Sequence, residues 1–238
     1  SEVTLDLRGV ELESTTSKDI HLTGQGGDRL RGQDEDSEWR FTSAPTTGTL
    51  TNSRVVNFAN FEGFDALVGG GGNDRFTFTG DDFNGSIDGG GGVNTLDYGA
   101  DGGPIEVNLE ASTATRLGEP FSNIDDLIGS SGSDTLIGED GDATWTLDGS
   151  NSGDVDGFDF DAIENLTGGG ADDEFLFDGG KVTGDIDGGA GTDTLDYSNE
   201  AGPITFNLDA ETAAKIDGTF SSIEGLVGTD NDDTLIGE

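Results

Sequence analysis

The sequence predicts an all-β fold, a right-handed parallel β-helix or β-roll solenoid with rungs of about 20 residues. Three observations carry that prediction: a long internal duplication, an apolar residue recurring at a fixed spacing, and strand-like alternation between glycine-rich turns. IDGGGGVNTLDY (87–98) recurs as IDGGAGTDTLDY (186–197), 99 residues further on. GPIEVNL (103–109) recurs as GPITFNL (202–208), and NIDDLIGSSGSDTLIGE (123–139) as SIEGLVGTDNDDTLIGE (222–238), at the same offset. Three long matches at one offset are a duplication.

Taken in order, VTLDL (3–7) and LTGQGGDRLRG (22–32) read as the tail of an earlier, partial unit over residues 1–38. A first full unit follows over 39–139 and a second over 140–238, with no linker, so the chain is expected to be one solenoid. The stretch from Trp39 to Ala66 is longer than a rung and reads as a surface loop centred on TSAPTTGTLTNS (42–53). From there, segments open on Leu67, Ile87, Val107, Leu127, Trp145, Leu166, Ile186, Phe206 and Leu226, at steps of about 20. Those nine residues are expected to stack as one apolar column. Ile105, Ile124, Ile163, Ile204 and Ile223 supply another near the end of each rung.

Within a rung the alternation is that of a strand, whose successive side chains point to opposite faces. Phe76 and Phe78, Leu96 and Tyr98, Phe175 and Phe177, and Leu195 and Tyr197 are thus expected to face inward. The Asp and Asn columns are expected to line the outside, with Asp97 and Asp196 simply solvated.

Composition makes this chain hard to fold unaided. It has 238 residues, 42 of them Gly, with 50 acidic against 10 basic residues and a net charge of −40. Apolar content is only 31%, near that of disordered chains. A repeat eases the shortage by burying each unit on its neighbour, and divalent cations ease the crowding of carboxylates. The acidity argues against nucleic acid and anionic membranes as partners. No apolar run is long enough to span a membrane, and no signal peptide is read at the start. The absence of cysteine is compatible with export, and His21, the lone histidine, supports no histidine metal cluster.

The turns carry the chemistry. Residues 69–77 (GGGGNDRFT) and 188–196 (GGAGTDTLD) fit G-G-x-G-x-D-x-U-x, and weaker versions stand at 89–97, 129–137, 168–176 and 228–236. Ca²⁺ takes six to eight oxygen ligands, and a glycine turn offers backbone carbonyls beside a carboxylate. Asp173 stacked above Asp193 places two carboxylates about 5 Å apart, a repulsion of roughly 3 kcal/mol at an effective dielectric of 20, which a cation between them would relieve. Asp74 above Asn94 is the same place with one charge removed.

In these nonapeptides the chain resembles the RTX, or hemolysin-type, calcium-binding repeat family, as found in tandem repeats of large bacterial secreted proteins. The resemblance implies turn loops that sandwich Ca²⁺ and gives metal-binding roles to Gly69, Gly71, Asp74, Gly89, Asn94, Gly129, Asp134, Gly168, Gly170, Asp173, Gly188, Asp193, Gly228 and Asp233. The chain departs from the family in its longer rung and in Ala114 and Ala213, which stand where Asp would and break a continuous ion column into isolated sites.

The expected function is a structural or adhesive calcium-stabilised rod of a bacterial extracellular, cell-surface or biofilm-matrix protein. Its expected partners are neighbouring repeats of a longer chain or other copies of itself, stacked end to end into filaments. A carbohydrate-binding module using Trp39, Trp145 and the 42–53 loop is the alternative. A β-helix lyase or epimerase ranks below it, because the acids repeat with the rungs and Arg40, Arg54, Arg75, Arg116, Lys181 and Lys215 share no cluster. An ice-binding threonine ladder is excluded, since Arg75, Glu174 and Ala214 interrupt the column of Thr95, Thr115 and Thr135.

Overall fold

The structure, a computed structural model, describes residues 4–6, 21–25, 27–41, 47–52 and 55–237. Every regular helix-or-strand element among them is a β-strand, and most strand pairs are parallel. The chain divides into two compact units, Ser1–Gly103 with Ser112–Ser131, and Pro104–Ala111 with Gly132–Glu238.

In the first unit, Thr4–Asp6, Arg29–Arg31, Ala66–Gly70, Ser86–Gly90 and Phe121–Ser122 pair in parallel. Their register files Leu5, Leu30, Leu67, Ile87 and Phe121 above one another. A second parallel set, Ser37–Phe41, Asp74–Thr77, Thr95–Asp97 and Asp126–Ile128, files Trp39, Phe76, Leu96 and Leu127. The second unit repeats both sets. Val107, Leu136, Leu166, Ile186 and Phe220 form one file, and Trp145, Phe175, Leu195 and Leu226 the other.

These files correct the expected single column. The spacing of about 20 residues counts strand starts, not stacking partners. Val107 lies on Leu136, and Leu127 lies on Leu96. A step of 20 joins stacked residues at Leu67–Ile87 and Leu166–Ile186, whereas Ile87 to Phe121 takes 34 and Leu136 to Leu166 takes 30. Each strand needs one inward apolar residue whichever sheet it joins, so its recurrence does not reveal the neighbour.

The expected loop is also corrected. Ser37–Phe41, Thr47–Asn52 and Val55–Glu62 form an antiparallel meander, and Val55–Glu62 pairs in parallel with His21–Thr23. Residues 42–46 and 53–54 of that loop lie outside the described residues. TGTLTN and VVNFANFE are rich in β-branched and aromatic residues, which fit a pleated surface. The second unit builds the same device from Thr144–Gly149, Ser152–Val155 and Phe158–Asp161.

The inward faces are those the alternation predicts. Phe76, Phe78, Leu96, Tyr98, Phe175, Phe177, Leu195 and Tyr197 are all fully buried. Their rings stack along the files, Phe78 on Tyr98 at 4.6 Å and Phe177 on Tyr197 at 4.3 Å between centroids. Each such pair adds about 0.5–1.5 kcal/mol to its area burial. Both buried tyrosines keep their hydroxyls bonded, Tyr98 donating to Thr115 O at 2.6 Å and Tyr197 to Ala214 O at 2.7 Å.

Candidate functional site

The nonapeptide acids face inward, which corrects the expectation that they line the outside. Asp74, Asn94, Asp134, Asp173 and Asp193 are each at most 2% exposed. The reason is hydrogen bonding to the chain one strand back. Ile105 N–H donates to Asp134 Oδ1 at 2.8 Å, Ala143 N–H to Asp173 Oδ1 at 2.9 Å, and Asp173 N–H to Asp193 Oδ1 at 2.8 Å. Asp74 N–H donates to Asn94 Oδ1 at 3.0 Å, and Ile204 N–H to Asp233 Oδ1 at 2.8 Å. The bonds to the aspartates are charge-assisted when the carboxyl is ionised, about twice as strong as a neutral bond such as that to Asn94.

The spacing between Gly and Asp in the motif follows from the same geometry. A Cβ on Gly168 would lie 2.3 Å from both Asp173 Oδ2 and Gly188 O. One on Gly188 would lie 2.1 Å from Ser222 O and 2.5 Å from Asp193 Oδ2. Gly69 stands the same way against Asp74 and Gly89, and Gly228 against Asp233. At Gly69, Gly168 and Gly188 the carboxylate of the turn and a carbonyl of the next strand thus rest on a bare Cα, and at Gly228 the carboxylate alone does. Gly71 and Gly170 sit beside Asp34 and Asp140, acids that the motif did not single out, and Gly129 is buried.

Electrostatics separate these acids by burial. Asp74 is pushed up to about 7 and Asp173 to about 6, each chiefly by desolvation, and Asp193 is raised for the same reason. Asp233 occupies the same place in the motif on an open edge, and its backbone bonds from Ile204 and Thr229 hold it below the usual carboxylate range.

The second carboxylate oxygens of Asp173 and Asp193 are buried with no hydrogen-bond partner. Each shares the space over a bare glycine with a carbonyl of the next strand, Asp173 Oδ2 with Gly188 O over Gly168 and Asp193 Oδ2 with Ser222 O over Gly188. These are hard oxygen donors, and in kind they fit Ca²⁺. Asp173, Asp193 and the Gly188 and Ser222 carbonyls would hold the ion, and it would supply the positive charge that both oxygens lack. Among the described residues no three His, Asp or Glu side chains gather into a metal-holding group, so backbone carbonyls or water must complete such a shell. At Asn94 the same place is filled differently: its Nδ2 donates to Asn123 O at 2.9 Å.

The ion pairs among the described residues lie apart from one another, and Arg116 alone of those named below holds two carboxylates, Asp101 and Asp82. Arg75 Nε donates to Asp97 at 2.8 Å, so Asp97 is buried and paired, not merely solvated as expected. Arg116 bonds Asp101 at 2.8 Å and holds that carboxyl down, while Lys181 meets Asp217 at 3.1 Å and Lys215 meets Glu200 at 3.3 Å. Trp39 and Trp145 are fully buried and stack on Phe76 and Phe175, so neither presents a ring face to a sugar.

Sequence reasoning missed an outer ladder. Asn73 N–H donates to Asp36 Oδ1 at 2.9 Å and Val93 N–H to Asn73 Oδ1 at 2.9 Å. In the second unit Asp172 N–H donates to Asp142 at 3.3 Å and Thr192 N–H to Asp172 at 2.7 Å. The signal was present as an Asp or Asn directly before the motif acid. No protein-family model, curated protein or solved structure matches this chain.

Proposed function

We propose that the chain is a structural element of a bacterial extracellular or cell-surface protein: a right-handed β-solenoid of tandem units, stiffened by Ca²⁺ in its turns and serving as a stalk or adhesive rod, not as an enzyme. The observation that supports it best is a pair of buried, unpartnered carboxylate oxygens in successive turns, Asp173 Oδ2 and Asp193 Oδ2, each sharing the space over a bare glycine with a backbone carbonyl. A cation there would add a further link between strands that the Asp173 N–H to Asp193 bond already joins. Melting followed by circular dichroism in EDTA and in millimolar Ca²⁺ tests it. The proposal expects a clear rise with Ca²⁺ and little with Mg²⁺, which demands a tighter octahedron. Equal melting temperatures in EDTA and Ca²⁺ would remove calcium from the account.

Asn94 supports a second reading, in which a proton does the cation's work. A neutral Asp193 would donate to Ser222 O as the Asn94 amide donates to Asn123 O. Under that reading Asp193→Asn raises the melting temperature at neutral pH in EDTA; under the calcium reading it abolishes the Ca²⁺ response at that turn.

A further inference from the structure

The two units build one turn twice and put different charges beside it. DRLRGQDEDSEW (28–39) aligns with DTLIGEDGDATW (134–145), with Leu, Gly, Asp and Trp kept at matching places. The strand registers agree with that alignment. Arg31 lies on Val68 and Ile137 on Thr167, each one residue before the glycine on which a motif acid rests. Those glycines are Gly69, under Asp74, and Gly168, under Asp173. The next residues, Gly32 and Gly138, pack against Gly69 O and Gly168 O in the same way. At one place in this shared frame the first unit therefore carries an arginine where the second carries an isoleucine.

Arg31 and Asp74 are each short of a partner. Both oxygens of Asp74 are buried without a hydrogen bond, and so is Nε of Arg31. Ser37 lies beside Asp74, but its N–H donates to Asn73 O at 3.3 Å and its Oγ to Glu35 O at 2.9 Å. The outer end of Arg31 reaches Asp34 at 3.5 Å, a long contact to a carboxylate that is 59% exposed, and such pairs contribute little. Its charge also acts inward: burial raises the Asp74 carboxyl, and Arg31 works against that rise. The second unit has no such cation. Burial and the charges of Asp193, Asp142 and Asp156 all raise Asp173, and only the Ala143 N–H lowers it. Across the turn, the neutral Asn94 bonds Asp74 N–H as the acidic Asp193 bonds Asp173 N–H.

We propose that Arg31 is the built-in counter-charge of the Asp74 turn, standing in the first unit for the divalent cation that the Asp173 turn takes in the second. The inference rests on the calcium reading and narrows it to one unit. A Ca²⁺ ion at Asp74 would meet the charge of Arg31 and a neutral amide in place of a second carboxylate, the reverse of what a hard cation requires. Calcium then governs the turns of the second unit, and the first keeps its turn without it.

The test exchanges the two residues. Each unit holds one of the chain's two tryptophans, so Trp145→Phe chains report the first unit by fluorescence and Trp39→Phe chains the second. In EDTA, Arg31→Ile should lower the melting temperature of the first unit by several degrees. Millimolar Ca²⁺ should restore it, with an additional Ca²⁺ bound per chain in a calorimetric titration, and Arg31→Lys should melt as the wild type does. Ile137→Arg should raise the melting temperature of the second unit in EDTA and weaken its Ca²⁺ binding roughly tenfold or more. A double-mutant cycle in EDTA decides the role of Arg31 without reference to calcium. Asp74→Asn should cancel the loss caused by Arg31→Ile, and Asp34→Asn should leave that loss in place. No loss in Arg31→Ile, a loss that survives in Asp74→Asn, or one that Asp34→Asn cancels, overturns the proposal. A second unit indifferent to Ca²⁺ removes the calcium reading instead, while cancellation by Asp74→Asn would still establish Arg31 as the counter-charge.

Discussion

Asp193 and Asn94 stand at equivalent places in the two units and differ at one atom. The amide of Asn94 gives its neighbour's carbonyl a donor, whereas Asp193 has no donor to offer the Ser222 carbonyl that shares the space over Gly188, and its Oδ2 is left without a partner. Burial raises Asp74 to about 7 and Asp173 to about 6, above their ordinary 3.8. A carboxyl raised on folding binds more proton when folded, so its contribution is full below its unfolded value and is lost as pH rises through the folded one. In EDTA the melting temperature should therefore rise as the pH is lowered from 8 to 5. Asp101 and Asp233, which are held down, act with the opposite sign and only below their ordinary 3.8. A melting temperature that falls steadily from pH 8 to 5 in EDTA would contradict the buried placement of Asp74 and Asp173.

At the scale of the strand, inward and outward positions should answer differently to charge. Phe175→Asp or Leu195→Asp puts an unpaired carboxylate into a fully buried file and should cost several kcal/mol, of order 3 or more, or prevent folding. Thr194→Asp, one residue away and partly exposed, should cost far less. Thermal melts of the three variants check this phasing, and equal losses would refute it. The motif glycines make a second comparison. Gly168→Ala forces a methyl group against a carboxylate and a carbonyl and should cost about 1–3 kcal/mol; Gly141→Ala, with nothing within 4 Å, should be neutral in the same melts.

The faces of these strands were legible because alternation is a local property: Phe175 and Phe177, or Leu195 and Tyr197, declare their side without reference to a partner. Stacking partners were not legible, because Val107 and Leu127 look alike to any strand that might lie on them. The meander over 47–62 was hidden behind threonine and proline, whose loop signal outweighed the β-branched run. The inward turn of Asp134 and Asp173 ran against the usual place of aspartate and is explained only by the N–H groups of Ile105 and Ala143 that they bond.

At the scale of the molecule, a chain of net charge −40 buries Asp74 in one unit and Asp134, Asp173 and Asp193 in the other. In the proposed account, cations in the turns make that placement stable. The most direct measurement is the melting temperature of the wild-type chain and of Asp173→Asn with Asp193→Asn, each in EDTA and in millimolar Ca²⁺ at pH 7.5. The account predicts a marked rise with Ca²⁺ in the wild type and a much smaller rise in the double variant. A wild type indifferent to Ca²⁺, with a double variant more stable than it in EDTA, would contradict the calcium account and assign the unpartnered carboxylate oxygens to a shared proton.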